Sequence, residues 1–254
     1  MSGPFRRLRG VPFRLWDMLR LAPAARAVAW ACLAGFLIQT VAGRVDVAEG
    51  VSFGEALQLG FGLHLPLLLS GFVWQVVTYM FLHGGWLHLL VNLLTLLLFG
   101  AGLEIEIGSR RFLRVFLLGG ALGGAAWAAA DMAGAWLAAE ALAGHGWLQR
   151  VAEAAAGRGC APHGHGVCIG ASGGIFALIG AFGALFPRRR VVVFPLMWTS
   201  FPARPLAVAL GAATVVFAAW QLGSVAYLTH LFGGAAGYAY GRRLARDGWG
   251  EEEA

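Results

Sequence analysis

Lysine is absent: all 19 basic residues of the 254-residue chain are arginine. Charge as a whole is scarce, at 13% of residues against 59% hydrophobic, and the mean hydropathy is +0.70. So little charge cannot clothe a water-facing surface, which excludes a soluble globular protein and predicts a polytopic membrane protein. No internal repeat or low-complexity linker divides the sequence, so one domain suffices. No signal peptide is expected either, because the first apolar run starts near residue 24 behind an arginine-rich stretch and lacks a convincing cleavage site.

What fills the chain is apolar. At about 17–25 residues per crossing, spans are predicted at 24–42, 86–103, 112–130, 170–186, 206–222 and 225–241, an all-α bundle of six transmembrane helices. The stretch 59–77 is apolar as well, but it holds His64, Pro66, Gly71 and Gln75 and reads as an interfacial or half-inserted loop. This leaves a tail over 1–23, a membrane domain over 24–241 with an insertion at 131–168, and a second tail over 242–254. Arginine alone sets the orientation. With the N-terminus in the cytoplasm, 16 of the 19 arginines lie inside and only Arg44, Arg150 and Arg158 outside, as the positive-inside rule requires. Both tails are then cytoplasmic and the insertion lies on the outer side. The formal charge of +6 reports topology and contact with anionic lipid. A nucleic-acid partner is not expected, since the arginines are dispersed over separate segments. Lysine-free, Ala/Gly-rich usage hints at a GC-rich bacterial genome and so at a bacterial inner membrane.

Three short polar clusters interrupt the apolar sequence. The first, His83-Gly-Gly-Trp-Leu-His88-Leu-Leu-Val-Asn92, leads into the second span, and His88 and Asn92, four apart, share a helix face. Histidine and asparagine are costly in hydrocarbon, so they face the protein interior or a water-filled cavity; they are functional candidates or polar glue between helices. The second, Gly170-Ala-Ser172-Gly173, opens the fourth span. There, free N–H groups and the positive end of the helix dipole suit an oxyanion, although small residues at such spacing also serve helix packing. The third places His230 one turn into the last span, above Gly233, Gly237 and Gly241. This glycine ridge admits a close neighbour, for which the glycine-rich fourth helix is the natural partner, and that contact sets His230 beside Ser172. A hydroxyl next to an imidazole is the minimal pair of nucleophile and general base. No carboxylate lies near in sequence, so the pair would be a dyad with its histidine oriented by packing.

In their order and placement the three clusters resemble those of the rhomboid family of intramembrane serine proteases, over roughly residues 72–241. The resemblance implies a six-helix rhomboid-like fold with Ser172 as nucleophile and His230 as its base. His88, Asn92 and the Ser172 backbone N–H would form the oxyanion hole. His83, Gly170, Gly173, Phe176, Gly233 and Gly237 would support the site, and Glu104, in Glu104-Ile-Glu-Ile-Gly108-Ser109, would be a structural hydrogen-bonding residue. Four features depart from the family pattern. Trp74-Gln75 stands where Trp-Arg is common, which weakens any inference about loop anchoring but touches no catalytic group. Phe176 replaces a tyrosine and can still pack on the His230 ring, Phe232 interrupts a His-Leu-Gly-Gly run, and the insertion is long.

Three functions follow for consideration. The first is an endopeptidase that cuts other membrane proteins where their helices are locally unstable and rich in small residues. The second is a catalytically inactive rhomboid-like protein that binds membrane clients, whose signature would be loss of Ser172 or His230. The third is a transporter or channel. Proteolysis needs water, so a cavity open to the outer side is expected, gated by the fifth helix or the first loop. No cofactor and no metal are expected. Cys160, His163, His165 and Cys168, just ahead of Ser172, admit three readings: a Cys160–Cys168 disulfide closing a nine-residue loop, worth roughly 2–3 kcal/mol; free thiols; or a Cys2His2 metal site. Cys32 reads as a buried bystander.

Overall fold

The structure is a computed structural model that describes residues 20–48, 51–141, 166–193, 196–219 and 227–250. Helices dominate it. α1 spans Pro23–Ala42, and three short helices follow: α2 (Phe53–Phe61), α3 (Leu65–Leu69) and α4 (Gln75–Thr78), the last passing into a 3-10 turn at Tyr79–Phe81. α5 (Trp86–Thr95) runs through a π turn (Leu96–Ala101) into α6 (Gly102–Ile107), so 86–107 is one helix. α7 is Ser109–Ala141, α8 Ser172–Leu185, α9 Ala203–Ala219 and α10 Tyr227–Arg246. Pro23–Ala42, Trp86–Ile107 and Ser109–Gly134 are each long and apolar enough to cross a bilayer, while Ser172–Leu185 and Ala203–Val216 are apolar but shorter. The expected all-α membrane bundle is therefore the architecture found.

α8 is the axis of that bundle. It is apolar on all sides and buried along nearly its whole length, as a helix without a polar face must be. α7 and α10 flank it at distances that only small residues allow. A Cβ at Gly174 would lie 2.6 Å from the Phe116 ring, and one at Gly241 2.8 Å from the Ala181 carbonyl oxygen. At Gly233 and Gly237 it would overlap the carbonyls of Gly173 and Ala177. α7 adds a second glycine ridge that the motifs did not announce: a Cβ at Gly123 would meet the Thr229 carbonyl at 2.5 Å, and one at Gly119 would overlap Ala177.

At the opposite end from the serine, polar groups tie the helices together. The buried Glu104 carboxylate accepts the N–H groups of Ala24 (2.8 Å) and Ala25 (2.7 Å) and the Ser109 hydroxyl (2.6 Å). It thereby caps the orphan donors of α1, whose first turn opens with Pro23, and it holds the structural role expected of it. Glu106 pairs with Arg189 at 2.8 Å, and the Arg111 guanidinium lies 4.3 Å from the centre of the Trp249 ring.

The segment 59–81 is broken into short helices rather than one crossing, as expected from His64, Pro66 and Gly71. Its anchoring, which the sequence left open, is built from polar side chains. Gln75 is fully buried, donates to the Leu59 carbonyl at 2.6 Å and accepts the His64 N–H at 3.1 Å. Trp74 donates to Gly60 at 2.9 Å and Thr78 to Phe61 at 2.6 Å. A neutral amide offers one donor and one acceptor side, so Gln75 fastens the loop without an arginine.

Other boundaries also moved. The third helix does not stop at residue 130 but continues to Ala141, so the first residues of the expected insertion belong to α7; residues 142–165 lie outside those described. Two antiparallel hairpins were not anticipated: β1 (Asp46–Ala48) with β2 (Val51–Ser52), and β3 (Arg190–Val193) with β4 (Leu196–Pro202), in which Val191 pairs with Phe201. α10 runs five residues beyond the expected span, to Arg246.

Candidate active site

Ser172 begins α8, so its backbone N–H and those of Gly173 and Gly174 belong to the free first turn. His230 lies on α10, which the glycine contacts hold against α8. The outcome is a hydrogen-bond distance of 2.8 Å between His230 Nε2 and Ser172 Oγ. The His230 ring stacks on Phe176, with centroids 4.3 Å apart and planes 5° from parallel, so a phenyl ring suffices to orient it. Nδ1 of His230 is buried, and among the described residues it has no hydrogen-bond partner. The histidine is thus held by stacking and by its own helix.

The residues expected to handle the oxyanion come from the opposite wall. Gly170 has φ +129°, a conformation open to glycine and strained for other residues. A Cβ there would lie 2.8 Å from both Cε1 and Nε2 of His88 and 3.8 Å from Ser172 Oγ. Absence of that carbon lets the Nε2 edge of His88 face the serine. On its other edge, His88 Nδ1 accepts the Gly84 N–H at 3.4 Å. An acceptor nitrogen carries no proton, so the neutral ring holds its hydrogen on Nε2, directed at the site. Asn92 is buried one turn further along, and its Nδ2 donates to the His88 carbonyl at 2.8 Å. That leaves the second amide hydrogen for another acceptor. Asn92 thus shares the face of His88 but is bonded within its own helix rather than to Ser172.

His83 is buried with its ring 5.2 Å from that of His88, edge to face. Burial, with the neighbouring His88 second, pushes its imidazole down to about 4, so it is a neutral packing partner. Gly173 and Gly233 are the contact that joins α8 to α10, and Gly237 repeats it one turn below.

The approach to Ser172 is braced by residues that the motifs did not reveal. Leu63 and Cys168 exchange a pair of backbone hydrogen bonds, each 2.9 Å. The Gly170 N–H donates to the Tyr79 carbonyl at 2.9 Å, and the buried Tyr79 hydroxyl donates to Gly120 at 2.8 Å. Cys168 is a buried free thiol with Sγ 3.9 Å from Thr229 Oγ1. Cys160, His163 and His165, with which a disulfide, free thiols or a metal site were the open readings, lie outside the described residues. Cys32 is buried, as expected.

The sequence matches the Rhomboid domain family profile over residues 70–247. The chain belongs to the rhomboid family. That family is generally one of intramembrane serine proteases, and the matched region contains Ser172, His230, His88, Asn92, His83 and the glycines around them. Curated proteins give no match to this rhomboid.

Proposed function

We propose that this rhomboid is an intramembrane serine endopeptidase that cuts the transmembrane segments of other membrane proteins. The observation that carries the reading is the 2.8 Å contact between His230 Nε2 and Ser172 Oγ. The hydroxyl proton passes to Nε2 as Oγ attacks the scissile carbonyl, and the developing oxyanion is met by the Ser172 N–H and the His88 Nε2–H, with the open hydrogen of Asn92 within the same wall. The tetrahedral intermediate collapses as His230 returns the proton to the leaving amine. His230 then activates water to release the acyl group. Preorganised donors of this kind act mainly on the transition state.

Substrates are single or multiple spanning proteins whose helices unwind locally at small residues, because only an unwound peptide bond can reach Ser172. The chain crosses a bacterial inner membrane six times within 24–241, with tails 1–23 and 242–254 in the cytoplasm. The grouping of Glu106, Arg111, Arg189 and Trp249 at the end of the bundle opposite the serine supports that orientation. Incubation of the purified protein with a single-pass substrate tests the activity. Cleavage that disappears in Ser172→Ala and in His230→Ala is expected; binding of the substrate without cleavage by the intact protein would instead favour a client-binding role.

A further inference from the structure

Gln39 lies near the end of α1, away from every motif, and is buried. Its side chain forms a two-way bond with the backbone of His83. Oε1 accepts the His83 N–H at 3.0 Å and Nε2 donates to the His83 carbonyl at 3.4 Å. The amide orientation is fixed by chemistry, since a backbone N–H can only donate and a backbone carbonyl only accept. The next residue, Gly84, gives its N–H to His88 Nδ1. A chain of contacts therefore runs from Gln39 through the backbone of residues 83 and 84 to the ring nitrogen that decides where the proton of His88 sits.

We propose that Gln39 is a positioning residue for the oxyanion hole: by clamping the His83 backbone it holds the Gly84 N–H on His88 Nδ1 and so keeps the Nε2 hydrogen of His88 aimed at the Ser172 site. The assignment of His88 as a donor rests on the proposed protease function, but the control of its tautomer does not. Without the amide, the His83 N–H and C=O lose their buried partners, the loop before α5 relaxes, and the Gly84 donor leaves the ring. His88 then divides between two tautomers, only one of which presents a hydrogen to the oxyanion.

Two variants of the full chain separate positioning from packing. Gln39→Met keeps the volume and removes both bonds. Gln39→Glu, as the neutral acid, restores one acceptor and one donor. In ¹⁵N-histidine-labelled protein in detergent, with the His88 signals assigned by their loss in His88→Ala, the wild type should show the Nε2–H form. Gln39→Met should show a mixture, and Gln39→Glu the wild-type form. For cleavage of a single-pass substrate, Gln39→Met should lower kcat by about 10-fold, a fraction of the 10²–10³-fold worth of a whole oxyanion donor, with KM within about twofold; Gln39→Glu should recover most of it. An unchanged His88 tautomer in Gln39→Met overturns the proposal, as does a folded Gln39→Glu that behaves like the methionine variant. Should Gln39→Met fail to fold, the tautomer in Gln39→Glu decides, because the proposal requires the Nε2–H form there. If the wild type cleaves nothing, the protease reading fails while the tautomer measurement still tests Gln39.

Discussion

The two walls of the site are built by opposite means. On one side, α8 and α10 meet through missing side chains, so that Gly233 and Gly237 lie directly on the carbonyls of Gly173 and Ala177, and the dyad is positioned by how closely two backbones approach. On the other, His88 is placed by hydrogen bonds that pass from Gln39 through His83 and Gly84, and by the cavity left at Gly170. The first wall tolerates no added volume; the second tolerates no lost donor. Membrane interiors favour this division, because apolar faces gain little from leaving lipid and close packing and internal hydrogen bonds must supply specificity.

Substitutions can break either wall, and the largest effect belongs to the dyad that the first wall aligns. If the serine and histidine act as a unit, as proposed, Ser172→Ala, His230→Ala and the double variant should all fall to the same background in a cleavage assay; additive losses would show that the two residues do not share a step. Next comes Gly170→Ala, which strains the backbone and drives a methyl into the His88 ring. Its turnover should drop at least 10²-fold, the scale of about 1 Å of misplacement, and a variant near wild-type activity would contradict the wall described here. His88→Ala should reduce kcat by about 10²–10³-fold with little change in KM. Asn92→Ala should do less, because its amide is partly spent on the His88 carbonyl, and equal losses in the two would reverse that ranking.

Gly237→Val sharpens the comparison, since it adds volume one turn below the dyad. Overpacking typically costs about 1–3 kcal/mol, so thermal stability and activity should fall together, whereas Gln39→Met should lower activity more than stability. The smallest effect on chemistry is expected far from the serine. Glu104→Ala removes the acceptor for two N–H groups and one hydroxyl and should destabilise the fold by about 2–3 kcal/mol, read as a lower melting temperature, while kcat of the remaining folded protein stays unchanged.

Much of the first wall was legible in the sequence. Ser172, His230, Phe176 and the Gly233–Gly237 ridge announce themselves because helical periodicity and small residues are local properties of a sequence. Even so, the partner ridge on α7 around Gly119 and Gly123 went unread, since glycine-rich stretches are common in apolar helices and only the fold selects which of them touch. The second wall was legible at His88, Asn92, His83 and Gly170, but not in the bonds that hold them. Gln39 meets a backbone 44 positions away and Glu104 reaches Ala24 across 80, and no local pattern marks such long-range partners. The role of Gln75 was left open because Trp-Arg is common there in the family, though what the loop required was one donor and one acceptor, not a charge. The approach to Ser172 is braced by the backbone bonds of Cys168 to Leu63 and of Gly170 to Tyr79, a pairing that a sequence rich in apolar residues cannot display.

The central claim is that packing alone makes Ser172 a nucleophile through His230. Reaction of the detergent-solubilised protein with a fluorophosphonate, followed by mass-spectrometric mapping of the adduct, tests it most directly. The account predicts a single adduct on Ser172 that is lost in His230→Ala and strongly slowed in Gly237→Val. An adduct that forms on Ser172 at the same rate without His230, or one that forms on a different residue, would contradict it.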